Sequence, residues 1–224
     1  MRKITLGFLA FIFGAGGLFS QGILTAPVYF KSVSEYYGTI NDYEADLNIK
    51  AKTQTMSGHV SFKRPNLLRI DFTNPDEQVI CFNGDLLTIY LPGHSAILNQ
   101  TVDSNSSAGA ANLSTPQGLS LMSRYYTVSY EVGQVSVPLD EDGSEMVIKL
   151  VLYRRNASEA FSQIKLAISP DTKLIRRITA TTPQNDVFTF DFKNYVINHG
   201  ISDQRFIYDA PSSANNYNNF LYSE

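Results

Sequence analysis

Tyr43-Glu44-Ala45-Asp46-Leu47-Asn48-Ile49-Lys50 alternates apolar and polar side chains without a break. Alternation sends Tyr43, Ala45, Leu47 and Ile49 to one face of an extended chain and the polar set to the other, which reads as a half-buried β-strand. The rhythm continues downstream. Val60 and Phe62 follow the turn residues Ser57-Gly58, and Leu68, Ile70 and Phe72 interleave with Arg69 and Asp71. Further strands are expected over 79–82, 86–91, 96–102, 146–153, 161–168, 174–181 and 187–195. Asn83-Gly84-Asp85, Pro92-Gly93, Ser169-Pro170-Asp171 and Pro183-Gln184-Asn185-Asp186 separate several of them with turn chemistry. Short connectors join antiparallel neighbours, because a parallel crossover needs about a dozen residues or more. The fold class is therefore mainly β with a few short helices, in an antiparallel meander of about ten strands.

Two helical segments interrupt the sheet. Residues 30–37 place Phe30, Val33 and Tyr37 on one face, with Gly38 as a stop. Thr115-Pro116-Gln117-Gly118 leads into Leu119-Ser120-Leu121-Met122-Ser123-Arg124-Tyr125, with Thr115 expected as N-cap and Pro116 at the first helical position. The stretch 103–112, rich in Ser, Asn, Ala and Gly, reads as a polar loop, and the Ser-, Asn- and Tyr-rich tail 212–224 as loosely ordered. At the other end, Arg2 and Lys3 precede the apolar run 4–13, which continues to Leu18-Phe19. That pattern describes a secretory signal peptide over 1–22, with an uncleaved anchor as the alternative. One cysteine, Cys81, lies far from that region, so it offers neither a lipid-attachment site nor an intramolecular disulfide. Export without disulfides suits a periplasm.

Composition narrows the function. The chain has 224 residues, 43% hydrophobic and 17% charged, with a formal net charge of −3. Nothing in that balance supplies the basic patch a nucleic-acid partner requires. The pairs Lys63-Arg64, Arg154-Arg155 and Arg176-Arg177 are separate and read as solvated strand ends. His59, His94 and His199 are scattered, none at metal-ligand spacing with another histidine or Cys81. Gly93-His94-Ser95-Ala96-Ile97 lacks the second glycine of a nucleophile elbow and sits between strands. Asp140-Glu141-Asp142 reads as a hairpin tip, and Cys81 as a small core residue. The expectation is a non-catalytic protein without cofactor or metal. Two short helices are little cover for so much apolar sheet, which leaves two readings open: a concavity for an apolar ligand, or a fully packed barrel.

Ser57-Gly58-His59-Val60-Ser61-Phe62-Lys63-Arg64-Pro65-Asn66-Leu67-Leu68-Arg69 resembles the LolA family of periplasmic carriers of outer-membrane lipoproteins, whose hallmark is a glycine-containing strand ending in Lys-Arg-Pro-Asn. The likeness continues through Asn74-Pro75-Asp76-Glu77-Gln78-Val79-Ile80-Cys81-Phe82-Asn83-Gly84-Asp85, the strand 86–90, and Arg205-Phe206-Ile207-Tyr208-Asp209-Ala210-Pro211; it is weak from 100 to 160. The resemblance implies a carrier domain over 23–211. Its fold would be an incomplete antiparallel β-barrel of about 10–11 strands with a helical lid formed by 30–37 and 116–125. It further implies a monomer with three partners: acylated lipoprotein cargo, an inner-membrane lipoprotein-releasing transporter and an outer-membrane acceptor. A lipid- or lipoprotein-sensing regulatory domain on the same fold is the alternative. The acyl-binding candidates are Leu47, Ile49, Val60, Phe62, Leu68, Ile70, Phe72, Ile80, Phe82, Leu87 and Ile89, with Leu119, Leu121 and Met122 from the lid. Arg64 matches the family's gating arginine. Alternation alone does not say which strand face is concave. The family's sheet tryptophans are missing, since the chain has none.

Overall fold

The structure is a computed structural model that describes residues 24–102 and 116–220, with the backbone alone at 116 and 117. The expected signal segment, the polar loop 103–112 and the Thr115 cap lie outside these residues. Strands β1 (Asp42–Ala51), β2 (Gln54–Lys63), β3 (Leu67–Asn74), β4 (Asp76–Phe82), β5 (Leu86–Leu91) and β6 (Ala96–Thr101) form one antiparallel meander. The second half contains β7 (Tyr126–Tyr130), β8 (Val137–Pro138), β9 (Met146–Arg154), β10 (Gln163–Ile168), β11 (Ile175–Thr181), β12 (Val187–Ile197) and β13 (Asn215–Asn218). The halves join where β1 pairs antiparallel with β12, from Tyr43 opposite Ile197 to Ala51 opposite Phe188. The path runs β13-β6-β5-β4-β3-β2-β1-β12-β11-β10-β9-β7, with β8 attached to β9. Among the described residues its two ends, β7 and β13, do not pair with each other, so the sheet is an open barrel. Helices α1 (Ala26–Tyr37) and α2 (Pro116–Tyr125) cover its apolar face.

The alternation at β1 holds residue by residue: Tyr43, Ala45, Leu47 and Ile49 are buried, while Asp46 and Lys50 are exposed. Partner residues directly opposite share a face. Ile49 lies opposite Phe190 and Met56, and Phe62 lies opposite Tyr43 and Leu68, so the register carries one apolar face around the sheet. Gly58 sits where two strands approach most closely. A Cβ there would fall 2.4 Å from the Asp71 carbonyl oxygen and 2.9 Å from the Phe72 Cα, beside the register shift between Ser57 and Gly58. A backbone approach that close admits only glycine.

Four features differ from the sequence reading. Helix α1 begins earlier than expected, with Thr25 at its N-cap position and a proline in its first turn. Tyr126-Thr127-Val128-Ser129-Tyr130 is a strand; its short alternation follows directly on α2, which hid it. The tail is not loose throughout: β13 adds in parallel to β6, and the Asn99 amide reaches the side chains of Asn216 and Asn218. An edge strand presents unpaired backbone groups, so a polar segment can dock there without any apolar signal of its own. Finally, the basic pairs are not merely solvated. Lys63 pairs with Asp203, Arg176 with Glu145, and Arg177 with Asp191 and Asp140.

The convex face of β3 and β4 is also covered. The 3-10 turn Asp203–Phe206 inserts Phe206 against it, and the Cys81 thiol donates to the Phe206 carbonyl at 3.3 Å. Burial pushes that thiol's pKa up, as expected for a core cysteine rather than a reactive one. Arg69 donates to both Asp71 carboxylate oxygens and to the carbonyls of Arg205 and Ile207, while Arg205 pairs with Asp71.

Candidate functional site

The concave face and its lid form the candidate site. α1 presents Ala26, Tyr29, Phe30, Val33 and Tyr37 to the sheet, the spacing of one helical face. α2 contributes Leu119 and Met122, both essentially buried. Leu121 is 39% exposed and turns away, correcting its place among the lid's ligand-facing residues. The physical reason is helical phase: residues three apart share a face, whereas 121 is displaced from both 119 and 122.

Of the sheet candidates, Leu47, Ile49, Val60, Phe62, Leu68, Ile70, Phe72 and Phe82 belong to the buried cluster beneath the lid. Ile80 and Leu87 pack against that cluster while half-buried. Ile89 lies opposite Ile80 and so on the same face, but it is half-buried and outside the cluster. Cover therefore thins toward β4 and β5. The sequence reading missed the other half of the concave face: Tyr126 and Val128 of β7, Leu150 and Leu152 of β9, Ile164 and Leu166 of β10, and Phe192 of β12. Alternation marks the positions on β9, β10 and β12, whereas those on β7 follow directly on α2 in too short a run to stand out.

The lid is pinned at its C-terminal end. The Tyr37 hydroxyl accepts from the Ile175 amide at 2.9 Å, and the Tyr195 hydroxyl donates to the Ile175 carbonyl at 2.9 Å. Burial pushes the Tyr37 pKa up to about 12, opposed by its hydrogen bonds with Ile175 and Tyr195. Desolvation likewise raises the pKa of Tyr195 well above its ordinary value. Arg64 sits beside this end. Its backbone N–H donates to the Asn41 carbonyl at 2.9 Å, and its Nη2 reaches the Tyr37 carbonyl at 3.5 Å, a long contact. Its Nε is buried without a partner among the described residues. At the other end of α1, the Tyr130 hydroxyl donates to the Leu24 carbonyl at 2.9 Å. A cleft of about 350 Å³ lies elsewhere, among Lys50, Lys52, Asn185, Asp186, Val187 and Thr189 at the hairpin turns. Under the lid, α1 and α2 themselves occupy the concavity, so a ligand there must displace them.

The arrangement is an open barrel whose concave apolar face is covered by two helices. The profile of the family described as outer membrane lipoprotein carrier protein LolA matches residues 46–209, well over half of the chain. The chain belongs to the LolA family. Among curated relatives, the outer-membrane lipoprotein carrier protein of Pseudomonas paraeruginosa is 24% identical over 161 residues, 71% of this chain and 70% of that one. An uncharacterized conserved protein from Thermus thermophilus superposes with a TM-score of 0.55 at 13% identity, covering 84% of this chain and 96% of that one. The crystal structure of MucB gives 0.50 at 11% identity, covering 83% and 63%. At those identities the two structures share the fold with this LolA-family chain.

Proposed function

We propose that this LolA-family chain is a non-enzymatic periplasmic carrier that takes the acyl chains of a lipoprotein onto its concave face. It would receive them from an inner-membrane releasing transporter and pass them to an outer-membrane acceptor. The observation that carries the reading is the lid seated on an open barrel, with apolar side chains of both helices filling the space an acyl chain would need.

Magnitudes favour exchange over permanent capture. About ten buried methylenes would contribute roughly 8 kcal/mol at ~0.8 kcal/mol each. Uncovering Phe30, Val33, Leu119 and Met122 costs about 1.5–3 kcal/mol apiece, about 6–12 kcal/mol together, which is the same size as that gain. The cargo replaces the lid's own contacts, so loading and release are nearly balanced. Arg64 fits as the gate on this reading, because its contact with the Tyr37 carbonyl ties the last turn of α1 down beside the sheet. Native mass spectrometry of protein taken from the periplasm should show bound acylated cargo. Protein that is ligand-free and also fails to bind a synthetic diacylated lipopeptide sinks the proposal. Capture of a signalling protein instead of transporter and acceptor would favour a sensing role.

A further inference from the structure

The two tyrosines on the buried face of α1 differ in one respect. Tyr37 is satisfied by the Ile175 amide and by Tyr195, as described above. Tyr29 is only 8% exposed, and its hydroxyl is buried with no hydrogen-bond partner among the described residues. The ring of Tyr130 stands 6.2 Å away between centroids, and the Tyr130 hydroxyl already donates to Leu24. A buried hydroxyl without a partner costs stability, and phenylalanine would fill the same space without that cost. The hydroxyl therefore stands available to a partner that arrives from outside.

The surroundings define that partner. Tyr29 belongs to the apolar cluster between lid and sheet, and burial raises its pKa to about 12, so at neutral pH it remains a neutral O–H donor. Arg64 lies by the opposite end of α1, at Tyr37. An anionic group near Tyr29 would be stripped of water without a countercharge, which disfavours carboxylate or phosphate. A neutral carbonyl accepts a phenolic hydrogen bond at little desolvation cost. We propose that Tyr29 is a ligand-binding residue whose hydroxyl donates to an acyl carbonyl, ester or amide, of the lipid lying on the concave face. The inference rests on the acyl-binding reading and deepens it, since it makes the linkage as well as the hydrocarbon part of what is recognised. Diacylated lipopeptides and diacyl phospholipids share this chemistry.

The test pairs Tyr29→Phe with ligands that differ only in the linkage. Ester-linked diacyl lipopeptide is compared with its dialkyl ether analogue, and phosphatidylglycerol with its ether analogue, on the protein purified as the cell makes it. Wild-type protein should prefer ester over ether by about tenfold, the size of one net hydrogen bond. Tyr29→Phe should lose that preference while binding the ether ligand as tightly as wild type. A Tyr29-dependent preference for the lipopeptide alone assigns the carbonyl to lipoprotein; the same preference for both assigns it to acyl lipids in general. The unliganded variant should melt at or above the wild-type temperature. An ester preference that survives in Tyr29→Phe overturns the inference, as does equal weakening of both ligands together with a lowered melting temperature. If wild type binds neither ligand of either pair, the acyl-binding reading itself falls.

Discussion

Tyr37→Phe removes one oxygen from the seam between lid and sheet, and the structure sets its cost. Tyr37 is fully buried, and its hydroxyl accepts from the Ile175 amide at 2.9 Å. The substitution keeps the ring, so packing is unchanged and no cavity opens. It leaves the Ile175 N–H facing a ring edge in a dry interior, and it removes a partner from Tyr195. An orphaned buried donor costs about 1–3 kcal/mol. In a domain of this size each kcal/mol lowers the melting temperature by roughly 2–4 °C, so a fall of roughly 2–12 °C is expected. Circular dichroism melts measure it, and hydrogen exchange should show faster opening over α1 than in wild type. Tyr29→Phe, on the same helix face, should show no such fall. An unchanged melt for Tyr37→Phe, or equal falls for the two variants, would refute the reasoning that Tyr37 anchors the lid.

Gly58→Ala drives a Cβ to within 2.4 Å of the Asp71 carbonyl oxygen, forcing β2 and β3 apart at a cost of about 1–3 kcal/mol; an unaltered melting temperature would contradict the close approach. Arg64→Leu should leave stability nearly unchanged, since it loses one long hydrogen bond while also removing the unpaired buried Nε. Lipopeptide unloading to an acceptor should nonetheless slow, by less than the roughly fivefold that a full hydrogen bond of ~1 kcal/mol would give, and unchanged transfer would return Arg64 to a structural role. Alkaline pH should unfold the protein through its buried phenols. The folded pKa of Tyr37 is raised from 10.0 to about 12, so above pH 10 the unfolded chain sheds a proton that the native state keeps. Stability is therefore whole below pH 10 and lost as pH climbs toward 12, by about 3 kcal/mol for this group. Urea midpoints that stay flat across that window in wild type would contradict it.

How far the sequence could be read depended on what each segment packs against. β1 was legible because one face is core and the other is solvent, so Leu47 and Ile49 declared themselves. β3 and β4 carried an ambiguity: Val79 and Cys81 on the convex face are as buried as Ile70 on the concave one, because the segment around Phe206 covers them. Alternation leaves the side open there, and the fold decides it: Ile70, Ile80 and Phe82 lie on the concave face. β13 was invisible, since backbone pairing and an asparagine ladder hold it while its side chains stay exposed. Leu121 could have been set apart by helical phase, which separates it from Leu119 and Met122. Arg64 was named from its motif, but its partner, the last carbonyl of α1, emerged only from the fold. Tyr29 had no signal at all, because an apolar helix face does not reveal which hydroxyl lacks a partner.

The claim that acyl chains lie on the concave face under the lid is tested most directly by a lipopeptide carrying a nitroxide near the end of one acyl chain. Isoleucine δ1-methyl signals report from both faces: Ile49, Ile70, Ile80, Ile164 and Ile178 from the concave side, Ile97 and Ile201 from the convex side. The carrier mechanism predicts paramagnetic broadening of the concave set, including half-buried Ile80, with Ile97 and Ile201 left sharp. Broadening confined to Ile97 and Ile201, or spread equally over both faces, would contradict it.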